Sequence, residues 1–357
     1  MHLRWVPGVV MMLWRIGTAG WGRGGPRLER LRLFAAVSLA CALAGCAALS
    51  DNAALDAGDL AVNPTLLVAT DRKPVDGARA QPWFGSERAS ALNYARARLS
   101  PPDGGRFSRA ALGLSDWRIE AVEPAQSVDE LLPRAAMTRD VLLYVHGFNQ
   151  TFETAALDAA RLSQGIHFHG ETMVFSWPSK AKLFDYGYDR ESALWSRDAL
   201  EHVLSGLIAS PMTARIHLVA HSIGSMPAME ALRQAYARQG RATAERMGAV
   251  VFAAPDIDMD VFASSIERLG PLARKITVIS ATNDRALAVS SFLAGGVSRV
   301  GAAEQEKLRR LGVHVIDASR EGWGLINHDL FLSNVRTRQV IRDAIEGRAP
   351  SGIRASR

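Results

Sequence analysis

Residues 216–227 read I-H-L-V-A-H-S-I-G-S-M-P. An apolar β-type run at 216–219 stops at Ala220-His221-Ser222-Ile223-Gly224. A helical apolar pattern then follows through Met226, Met229, Leu232 and Tyr236. Strand, tight turn and helix with a serine at the apex is the form of a nucleophile elbow, in which a strained turn lifts a Ser Oγ clear of a sheet. Strand and helix approach so closely there that the positions two before and two after the serine must be small. Here they are Ala220 and Gly224, so the pattern is a variant of G-x-S-x-G. A serine capping an ordinary strand-to-helix turn is the competing reading, and the rest of the chain must decide between them.

Outward from the elbow the pattern is regular. Residues 141–145 form an apolar strand ending in His146-Gly147-Phe148-Asn149, and 151–164 are helical. Residues 172–177 read as a strand closed by Pro178. Residues 191–208 read as one helix with Leu194, Leu200, Val203, Leu204 and Leu207 on a stripe. After the elbow come a strand at 249–253, ending at Ala254-Pro255-Asp256-Ile257-Asp258, and a short helix at 261–269. A strand at 276–280 ends at Ala281-Thr282-Asn283-Asp284, a last strand covers 313–316, and a last helix covers 329–347. Strands alternating with helices at this rhythm imply a parallel sheet covered on both faces. Upstream, 66–70 is a short β run stopped by Asp71-Arg72-Lys73-Pro74, 81–90 reads as loop, and 92–99 and 117–122 read as two more strands. Leading strands of this kind suit an antiparallel edge on a mostly parallel sheet. Ser127 with Glu130 three residues on has the form of a capping box. The expected class is α/β, mostly parallel with helices on both faces and an antiparallel N-terminal edge, as one domain over 64–348.

The chain has 357 residues and a net charge of +6, with 48% hydrophobic residues. The positive charge is not a nucleic-acid face. Residues 1–45 hold Arg4, Arg15, Arg23, Arg27, Arg30 and Arg32 against Glu29 alone, which accounts for nearly all of it. What is left cannot follow a phosphate backbone. The same arginines precede a short apolar run, 33–44, in the layout of a secretory signal. The run closes on Leu43-Ala44-Gly45-Cys46, which resembles the lipobox of bacterial lipoproteins. That resemblance implies a signal over 1–45, a lipidated Cys46 as first residue of the mature protein, and a membrane as partner. Because Ala47 rather than Asp follows, it also favours the outer membrane if the envelope is Gram-negative; an uncleaved anchor helix or a plain secretory signal is the competing reading. Two or more acyl chains hold a soluble domain stably on a bilayer. The small polar stretch 46–63 reads as a tether. With Cys41 in the signal and Cys46 lipidated, the domain has no disulfide and no cysteine-based metal site.

In open α/β sheets the reactive groups gather at the carboxyl ends of the strands. The residues that follow the strands are His146-Gly147-Phe148, Ser222, Asp256 and Asp258, Asp284, Asp317 and, later, His328. This supplies a nucleophile, acids and a late histidine in the order Ser, Asp, His, the order of α/β-hydrolase triads. Tyr144 to Asn149 (Y-V-H-G-F-N), Phe175 to Ser179 (F-S-W-P-S), A-H-S-I-G at the elbow, Ala254 to Asp258 (A-P-D-I-D), Asn283 to Leu287 (N-D-R-A-L) and the early Val68 to Arg72 (V-A-T-D-R) occur together. In this combination the chain resembles the bacterial alpha/beta hydrolases of unknown function in the esterase/lipase superfamily, over roughly residues 65–340.

The resemblance and the needs of acyl transfer imply the roles. Ser222 Oγ attacks an ester carbonyl, and His328, where the family has its late histidine, is the base. Asp284 is the carboxylate that fixes the imidazole, with Asp256 one strand earlier as its rival. The backbone N–H groups of Phe148 and Ile223 form the oxyanion hole. His146 supports its loop, His314 is structural, and His221 is badly placed to serve as a base. Residues 178–192 are a candidate lid. Trp177, Phe148, Tyr186 and Tyr188 either line a pocket or pack the core. Neither cofactor nor metal is implied. Two other readings use the same residues: acyl transfer to an acceptor other than water, and a binding module that keeps the scaffold without catalysis, which the Ala at the first elbow position keeps open.

Overall fold

The computed structural model describes residues 65–75, 77, 82–100, 117–132, 138–281, 283–293, 298–303, 305–319 and 330–348. Residues 1–63, where a signal, Cys46 and a tether are expected, lie outside the described residues, as does His328.

Nine strands form one sheet: β1 (Thr65–Pro74), β2 (Phe84–Ser100), β3 (Arg118–Ala125), β4 (Arg139–Val145), β5 (Glu171–Ser176), β6 (Thr213–His221), β7 (Met247–Ala253), β8 (Ile276–Ser280) and β9 (His314–Asp317). Their order is β3-β2-β1-β5-β4-β6-β7-β8-β9. The pairs β1–β2 and β2–β3 are antiparallel, and every other pair is parallel. This is the alpha/beta-hydrolase fold, mostly parallel with an antiparallel N-terminal edge. The parallel strands read as unbroken apolar runs because both faces are covered. In β4, Val141, Leu143 and Val145 face the core under helices Arg197–Ala209 and Ser225–Gln239, while Leu142 and Tyr144 face the core under helices Phe152–Gly165 and Val335–Ile345. Each such side chain, fully buried, contributes about 1.5–3 kcal/mol.

Local sequence explains the helix starts. Thr151 caps Phe152–Gly165 by accepting the Thr154 N–H at 3.2 Å. Asn334 caps Val335–Ile345 by accepting the Thr337 N–H at 3.1 Å. At the short helix Val128–Leu131, Ser127 Oγ accepts the Glu130 N–H and the Glu130 carboxylate reaches back to the Gln126 N–H.

Four expectations need correction. The strand at 66–70 does not stop at Asp71. It runs to Pro74, and Asp71 and Arg72 are buried within it. The region read as loop at 81–90 largely belongs to β2, a 17-residue strand. Register shifts in β1 between Thr70 and Arg72 and between Arg72 and Pro74 bend this pairing. They also erase the period-two alternation that would have revealed it. The helix expected at 191–208 is two helices, Tyr186–Trp195 and Arg197–Ala209. Ser196 separates them, its hydroxyl bonded back to the Ser192 carbonyl at 2.9 Å, the kind of contact that bends helices. The last helix is likewise divided, into Leu330–Ser333 and Val335–Ile345, at the capping Asn334.

The chain turns the sheet around at β4. From β4 it goes to β5 on one side, then crosses to β6 on the other. Connections that leave neighbouring strands in opposite directions open a crevice at their carboxyl ends. The turns carrying His146-Gly147 and Ser222 stand at this switch point.

Candidate active site

Ser222 follows β6 with φ of +51° and is 3% exposed. A non-glycine residue in this region stores strain, and the surroundings must hold it there. Three contacts do. The Asp256 N–H donates to the Ser222 carbonyl at 3.2 Å, and Ser225 Oγ donates to the Ala220 carbonyl at 3.3 Å. The third is packing: a Cβ on Gly224 would lie 2.1 Å from the His146 carbonyl oxygen, so the elbow presses against the end of β4. From the other side, a Cβ on Gly147 would meet Ser222 Cβ at 3.1 Å. Glycines at 147 and 224 are what let the two turns touch.

The β4 turn is built rigidly. The His146 ring is fully buried and stacks on Trp177 with centroids 4.6 Å apart. Its Nδ1 faces the Gly147 carbonyl at 2.8 Å and its Nε2 the Trp177 carbonyl at 3.0 Å. Burial, with the Arg72 guanidinium nearby, pulls His146 down to about 3. It is therefore neutral with one N–H, and can donate to only one of the two carbonyls. The Trp177 indole donates to the His146 carbonyl at 2.8 Å. His146 supports its loop, and Trp177, 0% exposed, is core.

Phe148 lies in this loop, and Ile223 sits in the first turn after Ser222, where N–H groups have no intrahelical acceptor. The Phe148 ring packs edge-on against Tyr186 at 5.5 Å. Tyr186 leads to Asp256. The Tyr186 hydroxyl donates to one Asp256 oxygen at 2.7 Å, Ser290 Oγ donates to the other at 2.7 Å, and Arg299 Nε is 3.1 Å from the latter. Asp256 and Arg299 are both 3% exposed. Burial, reinforced by the Asp256 charge, holds the Tyr186 hydroxyl well above its ordinary range. Asp256 is thus committed to a buried arginine, a tyrosine and a serine. Nothing local in the sequence indicated this, since Arg299 comes from a distant loop.

Asp284 follows β8 at the same end of the sheet, 2% exposed. Its Oδ1 accepts the Ala286 and Leu287 N–H groups at 2.9 and 3.1 Å, capping the helix Arg285–Leu293. The next described residues after His328 return to this region. The Phe331 ring, three positions on, is buried with its centroid 4.6 Å from that of His221, the residue before Ser222. His314 lies exposed on the edge strand β9. Among the described residues no group of three or more His, Cys, Asp and Glu could hold a metal ion. No described helix is long and apolar enough to cross a membrane.

One residue that pattern reading passed over stands out. Arg72, from the T-D-R triplet, is 1% exposed and reaches the β4 loop.

The family described as an alpha/beta hydrolase of unknown function, DUF900, matches residues 124–344. An uncharacterized protein of Nostoc sp. is 26% identical over 121 residues, covering 27% of this chain and 32% of that protein. The chain thus spans about a third of the length of the curated relative it matches. A solved esterase of Pyrobaculum calidifontis is similar with a TM-score of 0.37 at 11% identity, over 96% of this chain and 97% of that one. The Bacillus subtilis carboxylesterase CesB gives 0.35 at 11% identity, over 72% and 89%. With a strained serine elbow at the turning point of a mostly parallel sheet, and a family match over more than half of its length, the chain belongs to the alpha/beta hydrolases of unknown function, DUF900.

Proposed function

We propose that this protein is a serine hydrolase of carboxylic esters that works through an acyl-enzyme. The observation that carries the reading is Ser222 at φ +51°, set against Gly147, with Gly224 two residues on pressed against the His146 carbonyl. Strain of this kind costs on the order of 1–3 kcal/mol, and lifting a nucleophile clear of the sheet is a reason to keep it. Ser222 Oγ attacks the carbonyl carbon as its proton passes to His328. The negative charge that develops on the carbonyl oxygen is met by the N–H groups of Phe148 and Ile223. Collapse expels the alcohol, which takes the proton from His328. Water then repeats the sequence on the acyl-enzyme and releases the acid.

Asp284 is the orienting carboxylate in this reading. The commitment of Asp256 to Arg299, Tyr186 and Ser290 supports that choice. The position of Phe331 against His221 supports His328 as the base, three residues earlier in the chain. In the cell the domain is tethered to the envelope by a lipidated Cys46, with the outer membrane as its address in a Gram-negative host. Metabolic labelling with a clickable palmitate, lost in Cys46→Ala, tests the anchor.

The catalytic test is direct. A fluorophosphonate probe should label the folded protein, and Ser222→Ala should abolish both the labelling and the release of p-nitrophenol from p-nitrophenyl butyrate. Full activity in Ser222→Ala would refute the mechanism.

A further inference from the structure

Arg72 is an arginine at the centre of a sheet with no carboxylate at ion-pair distance among the described residues. Its Nε donates to Ser176 Oγ at 2.8 Å. Its Nη1 donates to the carbonyls of Gly85 at 3.2 Å and Ser179 at 3.1 Å. Its Nη2 donates to the Gln150 carbonyl at 2.8 Å and lies 3.5 Å from His146 Nε2. One planar fork therefore ties β1, β2, the end of β5 and both ends of the 146–150 loop together, which a point-charge ammonium could not do. Burial lowers the guanidinium to about 10, which leaves it protonated at neutral pH.

The same loop is gripped from the other side by Asp189, which is 0% exposed. Its Oδ2 accepts the Asn149 N–H at 3.2 Å and the Ser179 hydroxyl at 2.5 Å, and its Oδ1 accepts the Lys180 N–H at 2.8 Å. Ser179 Oγ in turn accepts the Gln150 N–H at 3.1 Å. Asn149 is held at φ +60°. Phe148, next to Gly147, lies between anchored His146 and anchored Asn149 and Gln150. Its backbone direction is therefore set by a buried cation and a buried carboxylate, neither of which touches the nucleophile.

We propose that Arg72 is a positioning residue for ester hydrolysis: its guanidinium fork holds the 146–150 loop so that the Phe148 N–H points at the developing oxyanion. The proposal rests on the serine-esterase reading above. Displacement of a catalytic group by about 1 Å costs about a hundredfold in rate, and a donor used only in the transition state lowers kcat rather than raising KM.

The test compares full-length wild type, Arg72→Lys and Ser176→Ala, the last removing one acceptor of the fork while leaving Arg72 in place. Readouts are p-nitrophenyl butyrate turnover, fluorophosphonate labelling, and amide hydrogen exchange. Arg72→Lys should lose about a hundredfold in kcat with KM changed less than about threefold. Ser176→Ala should fall between it and wild type. Exchange over 147–151 should quicken in both variants while the helix Ser225–Gln239 is unaffected. A kcat for Arg72→Lys within about twofold of wild type would overturn the proposal, whether or not exchange changes, because a purely structural role would move exchange alone. A wild type that neither labels nor turns over ester would overturn the serine-esterase reading itself, a result distinct from active, labelled wild type with an unimpaired Arg72→Lys.

Discussion

Asp71 should make this protein less stable as pH rises, and the effect can be sized. The carboxylate is 2% exposed, and neither oxygen has a hydrogen-bond partner among the described residues. Burial pushes it from 3.8 up to about 6, opposed more weakly by the charges of Arg72 and Arg88. A group whose folded value lies above its unfolded one holds its proton better when folded. Its contribution is therefore fully present below pH 3.8 and is lost as pH rises through 6. A gap of about two pH units, at about 1.4 kcal/mol per unit, makes that loss about 3 kcal/mol. Asp71→Asn removes the titration. The amide carries its own cost if its N–H groups stay unpaired, about 1–3 kcal/mol, but that cost does not vary with pH. The quantity to measure is therefore the stability of Asp71→Asn minus that of wild type, by urea denaturation at pH 4, 6 and 8. It should rise by about 2–3 kcal/mol from pH 4 to pH 8, with most of the rise below pH 7. A flat difference across that range would refute the assignment of a raised carboxylate to Asp71.

Three substitutions bear on the elbow and its carboxylates. Gly224→Ala would set a methyl carbon 2.1 Å from the His146 carbonyl oxygen, so the elbow and the β4 loop must separate by about 1 Å. Ester turnover should drop about a hundredfold in a protein whose circular dichroism is unchanged. The two rival carboxylates should part company. Asp256→Asn leaves Arg299 buried without its counter-charge and should cost about 3–5 kcal/mol of stability, read as a lowered denaturation midpoint. Asp284→Asn keeps an oxygen for the Ala286 and Leu287 N–H groups, so stability should hold within about 1 kcal/mol while kcat falls about ten-thousandfold. The reverse pattern would make Asp256 the catalytic acid.

What the sequence made legible was whatever depends on neighbours in the chain. The elbow could be read because strand, turn and helix are consecutive and the turn admits only small residues beside Ser222. The parallel strands from β4 to β9 could be read because burial on both faces leaves continuous apolar runs such as V-L-L-Y-V at 141–145. What escaped depends on distant partners. Asp71 and Arg72 look like a charged stop to a strand, and only the carbonyls of Gly85, Gln150 and Ser179 explain how an arginine can sit inside the sheet. Asp256 reads as a free acid until Arg299 and Tyr186 are beside it. Ser196 reads as mid-helix until its hydroxyl is seen competing for the Ser192 carbonyl.

The elbow's departure from G-x-S-x-G also has a physical reading. Ala220 is the last but one residue of β6, 0% exposed and paired with Val145 on one side and Phe252 on the other. Its methyl belongs to the core under the helices Arg197–Ala209 and Ser225–Gln239. The close approach falls instead on Gly224 and Gly147, the two positions where the β6 turn and the β4 turn meet. The small-residue requirement is therefore asymmetric. Before the serine the strand has room for a methyl, and after it the helix start must press against the His146 carbonyl. A chain that tolerates alanine at 220 but leaves no room for a methyl at 224 is one in which the contact between the β6 and β4 turns, more than the sharpness of the turn, demands the glycine.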